Sequence, residues 1–256
     1  LSDAQIAPTS SFGIGAYSIN CDNPLIQGND GIAFSSIFGC DADGVGPTAI
    51  VSGITASHRN VEGGPRNSRL ENSAFRLVSG LRGEFADIWN WEGFVQIAET
   101  RDQSVSTNDF IVANLQQALL ATTDADGNIV CQDQSGGCVP YNIFQRGPNG
   151  ESLVSQESLD FIQGVGHVNG ETSQFVVGGT LQANLADYGF QLPTASEGVG
   201  VLFGFEYRED ELFANPDEIS QVSGGGFTGV GGATLPVQGS IDVTEFFTEF
   251  EAPLVT

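Results

Sequence analysis

The sequence predicts an all-β fold of antiparallel strands, forming part of a transmembrane β-barrel with long loops that carry short helices. Three observations support this. Five stretches alternate apolar and polar residues for longer than a soluble strand usually runs. The links between them alternate between short and long. No apolar run approaches the roughly 18 to 20 residues that a membrane-spanning helix needs. Period-2 alternation gives each strand one apolar and one polar face. Short links at one edge and long ones at the other are the plan of an outer-membrane barrel.

Residues 1–56 are rich in Gly, Ser, Asp and Pro and read as a long excursion, with a short strand piece at Ile32–Phe38. Residues 57–85 form a descending strand, in which Gly63-Gly64-Pro65 marks a bulge or bend. From Ser73 to Phe85, Phe75, Leu77, Leu81 and Phe85 share one face, and Arg76, Arg82 and Glu84 the other. Ala86 to Ile88 is too short a link for anything but an antiparallel hairpin. The next run, Trp89 to Arg101, sets Trp89, Trp91, Val95 and Ile97 on one face and Gln96 on the other. Trp89 and Trp91 lie beside the short turn, where an aromatic girdle belongs. The other reading makes both the core of a soluble sandwich.

The excursion from about 106 to 170 carries the helical signals. Phe110, Val112 (or Ile111), Leu115, Ala118 and Leu119 recur at helical spacing, with Asn108 as a candidate cap. A second helix reads S-Q-E-S-L-D-F-I with Ser155 as its N-cap. Ser173 to Ala186 alternates again, with Phe175, Val177, Leu181 and Leu185 opposed to Gln174, Thr180, Gln182 and Asn184. Val199 to Asp210 sets Val201, Phe203, Phe205 and Tyr207 against Glu206, Arg208 and Asp210. The last run, Ser240 to Leu254, changes register: Ile241 and Val243 are odd, whereas Phe246, Phe250, Ala252 and Leu254 are even. Either the even face turns to lipid from Thr244 onward, or a bulge near Phe246-Phe247 shifts the alternation. The short links at 86–88 and around 187–197 are then periplasmic. The excursions at 1–56, 106–170 and 213–238 are extracellular. The polar faces place Arg76, Arg82, Gln96, Gln182 and Arg208 toward the lumen, where they line a transport path, solvate the interior or hold a plug.

The chain has 256 residues, with eight arginines, no lysine and 32 acidic residues, for a formal net charge of -24. That balance argues against nucleic acid, whose phosphates a binder must neutralise. The four cysteines form two local pairs, Cys21/Cys40 and Cys131/Cys138, both in loop regions. Neither spacing suits a zinc site, so two loop disulfides in an oxidising compartment are expected, with buried free thiols as the other reading. Two acidic turns, C-D-A-D-G-V-G and T-D-A-D-G-N, make Asp41, Asp43, Asp124 and Asp126 candidate calcium ligands. Both lack the downstream glutamate of a calcium-binding helix–loop–helix, and ordinary Asx-type turns explain them equally well. No catalytic motif is present, so no enzyme activity is expected and no other cofactor.

Five strings carry a resemblance: Y-S-I-N-C-D-N-P-L at 17–25, R-N-V-E-G-G-P-R at 59–66, C-V-P-Y-N-I-F at 138–144, V-L-F-G-F-E-Y-R-E-D at 201–210 and G-S-I-D-V-T-E-F-F-T-E at 239–249. In this order they resemble the mid-barrel segment of TonB-dependent outer-membrane receptors, in the style of the large alphaproteobacterial ones. The resemblance implies a barrel of about 22 strands with an N-terminal plug. It implies energy drawn from the TonB complex through the plug, and uptake of a siderophore, cobalamin or oligosaccharide. The plug, its energy-coupling motif and a terminal aromatic strand are missing from residues 1–256, which read as one partial barrel domain of about five strands. The implied partners are the plug and remaining strands of the same receptor, a small-molecule substrate and outer-membrane lipid. The alternative is a secreted or surface β-rich assembly or filament subunit.

Overall fold

In the computed structural model the chain is described at residues 2–3, 17–27, 34–54, 58, 60–228 and 232–254. In chain order the elements are β1 (Ser2–Asp3), β2 (Tyr17–Asn20), α1 (Phe34–Ile37), β3 (Ile50–Ile54), β4 (Pro65–Phe85), β5 (Trp89–Phe110), α2 (Val112–Leu119), β6 (Ala121–Thr123), β7 (Ile129–Cys131), α3 (Gln156–Ile162), β8 (Gln163–Asn184), β9 (Gly200–Pro216) and β10 (Val237–Glu251). Short 3-10 turns join them. The fold is mostly β, and its main sheet has the order β1-β4-β5-β8-β9-β10. The pairs β2–β3 and β6–β7 form two small separate sheets. The main sheet is open, not a closed ring.

All five alternating runs are strands, and most are longer than alternation alone indicates. β4 has 21 residues, and β5 and β8 have 22 each. At about 3.3 Å per residue, 22 residues extend roughly 70 Å. The additional length lies where both faces are polar, as in Q-S-V-S-T-N-D at 103–109, so no alternation announces it. The strand expected over 57–85 begins only at Pro65: the glycine pair ends a turn at 61–63 instead of bending a strand, and residues 57 and 59 lie outside the described residues.

The β4–β5 hairpin turns through Ala86 and Asp87, both left-handed, with φ of 51° and 63°. Consecutive positive φ values suit the right-handed twist of the flanking strands. Phe85 and Trp89 close the turn with stacked rings whose centroids lie 6.2 Å apart. β10 pairs with β9 in one unbroken antiparallel register, from Val237 opposite Ala214 to Glu251 opposite Gly200. There is thus no bulge at Phe246-Phe247. The change of period is a change in which positions are apolar, on a regular strand.

Two further expectations fail. Ile32–Phe38 is not a strand: its described part is the helical turn α1, while residues 32–33 lie outside the described residues. Asn108 does not cap α2, whose N-cap position is Ile111 without a side-chain cap. Asn108 instead takes φ 61° near the end of β5 and donates its side-chain amide to the Pro65 carbonyl. Ser155 does cap α3, its hydroxyl accepting from the Ser158 amide.

The chain divides into two compact units. The first comprises 1–70, 104–168 and 216–235. It contains the hydrophobic core, including Tyr17, Ile19, Ile26, Phe110, Leu115, Tyr141, Leu159 and Ile162. α2 enters this core with Leu115, Ala118 and Leu119, the face expected from their spacing. Buried Asn20 and Asn23 donate to the Ala121 and Leu119 carbonyls at 2.7 and 2.8 Å, which ties β2 to the end of α2. Gln116 both donates to the Ser18 carbonyl and accepts from its amide, as a neighbouring strand would. Cys21–Cys40 and Cys131–Cys138 are disulfides in this unit. The second unit comprises 71–103, 169–215 and 236–256, and is essentially sheet. Among its described residues Val176, Ala183 and Val201 are the buried apolar ones.

Two outcomes follow. Ala86→Gly relieves a left-handed non-glycine residue and raises unfolding stability by about 0.5–1 kcal/mol, measured by urea titration. The Cys131–Cys138 loop, with a sequence separation of 7, is shorter than the Cys21–Cys40 loop, with 19. Replacing each pair by serines should therefore cost about 2.5 and about 3 kcal/mol respectively. A reversed order of the two losses refutes the chain-entropy account.

Candidate functional site

The sheet of the second unit has two chemically opposite faces. On one face lie the odd positions of β4, β5, β8 and β9. Trp91, Leu181, Phe203, Phe205 and Phe246 line a single shallow apolar depression there. β10 joins this face with its even positions, because Phe246 stands opposite Phe205 with ring centroids 5.3 Å apart. Most large apolar side chains of this face are uncovered, Leu77 being 61% exposed, Leu81 74% and Phe246 79%, whereas Val201 on β9 is buried. The apolar stretch runs from Phe75 to Phe85 in β4 and from Trp89 to Ile97 in β5. About 9–11 residues is the length a tilted strand needs to cross a bilayer. Beyond it the same face turns charged, with Arg101 Nε 3.2 Å from Glu171 Oε2.

The opposite face carries a line of side chains across four neighbouring strands. Arg76 Nε on β4 donates to Gln96 Oε1 on β5 at 2.8 Å. Gln96 Nε2 donates to Gln174 Oε1 on β8 at 2.6 Å, and Gln174 Nε2 donates to Asp210 Oδ1 on β9 at 2.8 Å. Asp210 Oδ2 in turn stands 3.3 Å from Arg208 Nε. Each amide accepts from the cation side and donates toward the carboxylate, so the dipoles align from Arg76 to Asp210 and reinforce one another. Gln96 is buried beneath its neighbours. The line sits level with Phe75, Ile97 and Phe175, one residue along each strand, and so marks the end of the apolar stretch.

Glycines on both faces make room for aromatic rings. A Cβ at Gly178 meets the Phe94 ring at 2.9 Å, one at Gly83 meets Trp91 Nε1 at 2.9 Å, and one at Gly204 runs into the Phe247 ring. An aromatic ring laid over a strand glycine covers the bare backbone and fixes which residues stand opposite.

Of the polar residues expected on one face, Arg76, Gln96 and Arg208 belong to this line. Arg82 and Gln182 do not; they border an open depression with Asn90 and Thr180. Gln174 and Asp210 complete the line. Their polarity was visible in sequence, but only the register shows that they meet Gln96. Trp89 stacks on Phe85 at the turn, and Trp91 covers Gly83. In the acidic turns the carboxylates of Asp124 and Asp41 bond locally. Asp124 Oδ1 accepts from the amides of Asp126 and Asn128, and Oδ2 from the Asn128 side chain. The Asn128 bonds, ahead of that from Asp126, hold the Asp124 carboxyl below its ordinary value. Asp41 accepts from the Ser36 hydroxyl. Among the described residues no three His, Cys, Asp or Glu side chains gather around a point fit for a metal ion.

No protein-family model, curated protein or solved structure matches the chain. The functional reading therefore stands on geometry and on the resemblance of the motifs.

Gly204→Ala drives a methyl group into the Phe247 ring, so it should cost about 1–3 kcal/mol. The added change Phe247→Ala should recover part of that loss in the same unfolding assay. A double variant no more stable than Gly204→Ala alone contradicts the close packing.

Proposed function

We propose that the chain is a segment of an outer-membrane β-barrel of the TonB-dependent receptor kind. It forms part of the wall through which a scarce nutrient such as a siderophore, cobalamin or an oligosaccharide is taken up with energy from the inner membrane. One observation carries the reading: an uncovered apolar stretch of bilayer-crossing length continues across five strands, backed by a polar face. Monomeric soluble proteins rarely leave so broad an apolar patch in water. Facing lipid, each large side chain fully withdrawn from water contributes about 1.5–3 kcal/mol. The polar face fits a lumen. Its line of amides and charges serves as wall or contact surface for a transported solute or a plug, with no catalytic role.

The open sheet supports a need for further strands. Among the described residues, Phe75–Phe85 of β4 and the whole of β10 have no strand partner on their outer sides, and a bilayer interior holds no water for such edges. In this reading the remaining strands of the same receptor pair there, and the excursions of the first unit lie outside the cell. A surface assembly subunit is the second reading, and the same open edges favour it. Intact mass of the protein purified from its source separates the two: about 80 kDa or more fits a receptor of some 22 strands, whereas the 26.9 kDa of this chain alone fits a subunit.

Nitroxide labels replacing Leu77 and Arg76 in membrane vesicles test the faces. The label at 77 should respond to oxygen dissolved in lipid, and the label at 76 to a water-soluble nickel chelate. Equal responses at the two neighbours would sink the reading. Phe246→Arg, on the lipid side, should cost about 2–4 kcal/mol if it lies near mid-membrane.

A further inference from the structure

β10 is the last strand of the main sheet, and among the described residues no strand lies on its outer side. Its 15 residues, Val237 to Glu251, pair with β9 in one unbroken register. Proteins usually blunt such an edge with proline, lysine, a bulge or a short strand. β10 has none of these. Its polar face carries Glu245, Glu249 and Glu251, and the residues directly opposite on β9 are Glu206, Leu202 and Gly200. β9 thus sets no cation across from them. Arg208 lies opposite Val243, and its Nε stands 3.3 Å from Asp210 Oδ2. The other margin of the sheet has the opposite sign: from Phe75 to Phe85 the polar face of β4 carries Arg76 and Arg82 against the single Glu84.

We propose that the outer side of β10 takes an antiparallel strand of the same receptor, with arginine or lysine on its polar face beside Glu245 and Glu249 and apolar side chains beside Phe246 and Phe250. The assignment rests on the receptor reading and adds to it the chemistry of the neighbour. The free amides and carbonyls of β10 supply the ladder. Opposite charges directly across two strands favour pairing, and like charges oppose it. A second copy of β10 laid antiparallel in the same sheet sets these carboxylates against their own kind. The basic margin of a second copy fits no better. β4 and β10 run in the same direction, so those two margins would pair parallel, whereas β5, β8, β9 and β10 meet antiparallel. The carboxylates therefore leave the edge open to a cationic strand and guard it against acidic ones.

The test adds a capped synthetic peptide of about 11 residues, alternating valine with arginine and threonine, to the full chain in detergent micelles. Hydrogen exchange is read by peptide mass spectrometry. The arginine peptide should slow exchange across 237–251 about five-fold more than the same peptide with glutamate for arginine, and leave 75–85 unchanged. Glu245→Gln combined with Glu249→Gln should abolish the difference between the peptides. Equal protection by both peptides, protection by neither, equal protection of 75–85, or a difference that persists in the folded double variant overturns the assignment. Protection of 237–251 that rises with protein concentration and no peptide also overturns it, and marks a second copy as the occupant. The comparison of the two peptides on the unmodified protein decides the matter even where the variant does not fold. The nitroxide contrast between 76 and 77 reports separately. Where it holds, a failed peptide experiment removes the cationic neighbour alone; where it fails, the receptor reading falls whatever the peptides do.

Discussion

Register is the constraint on which the sheet depends. Side chains alternate between faces, so slipping one strand by one residue would exchange its whole apolar and polar sets. The pairing of β10 with β9 runs without interruption and keeps Phe246, Thr248 and Phe250 beside Phe205, Phe203 and Val201. The same pairing keeps Val243 and Glu245 beside Arg208 and Glu206 on the other face. A change of period read along β10 alone is ambiguous; read across the ladder it is not. The line from Arg76 to Asp210 depends on the same alignment, since a one-residue slip of β5 or β8 removes a hydrogen bond on each side of it. The rings over Gly83, Gly178 and Gly204 resist such slips, because each ring fits only where its partner lacks a side chain.

The two units are stabilised by different means. The first has the interior of a water-soluble domain: buried aliphatic and aromatic residues, asparagines bonded to main-chain carbonyls, and two disulfides. The second keeps its large apolar side chains on an uncovered face. Main-chain ladders and cross-strand contacts hold its strands together, yet they supply no core. Its stability then depends on what covers that face, and lipid is the cover proposed above.

The sequence reveals features in proportion to how local they are. The five runs, the Ser155 cap and both disulfides depend on residues close in sequence, and all are present in the structure. Strand ends escape because Q-S-V-S-T-N-D at 103–109 and G-V-G-H-V-N-G at 164–170 offer no apolar face to count. The strand expected at Ile32–Phe38 rests on apolar content alone. The helical spacing of Phe34 and Phe38, whose rings lie 6.1 Å apart, is the signal that distinguishes a helical turn. Asn108 has the chemistry of a cap, but the chain spends its tolerance of positive φ on leaving a strand. Gln174 and Asp210 are legible as polar-face residues, and their partners are not, because partnership is long-range. His58 and Glu62 carry a visible i, i+4 spacing, and the structure pairs them at 3.4 Å.

Charge completes the argument about where water lies. Glu245 stands directly opposite Glu206, and Asp242 opposite Glu209. Like charges so placed oppose pairing, by about 0.2–1 kcal/mol each. Buried in hydrocarbon, such pairs would be far more costly. Glu206 and Glu245 share the polar face with Arg208, whereas Asp242 and Glu209 lie on the other face, past Tyr207 where the apolar stretch ends. Neither pair intrudes on the side chains assigned to lipid. A net charge of -24 is therefore compatible with a membrane wall because of where it is placed: the strands carry their carboxylates at the ends and along the polar face, and withhold them from the apolar stretch between.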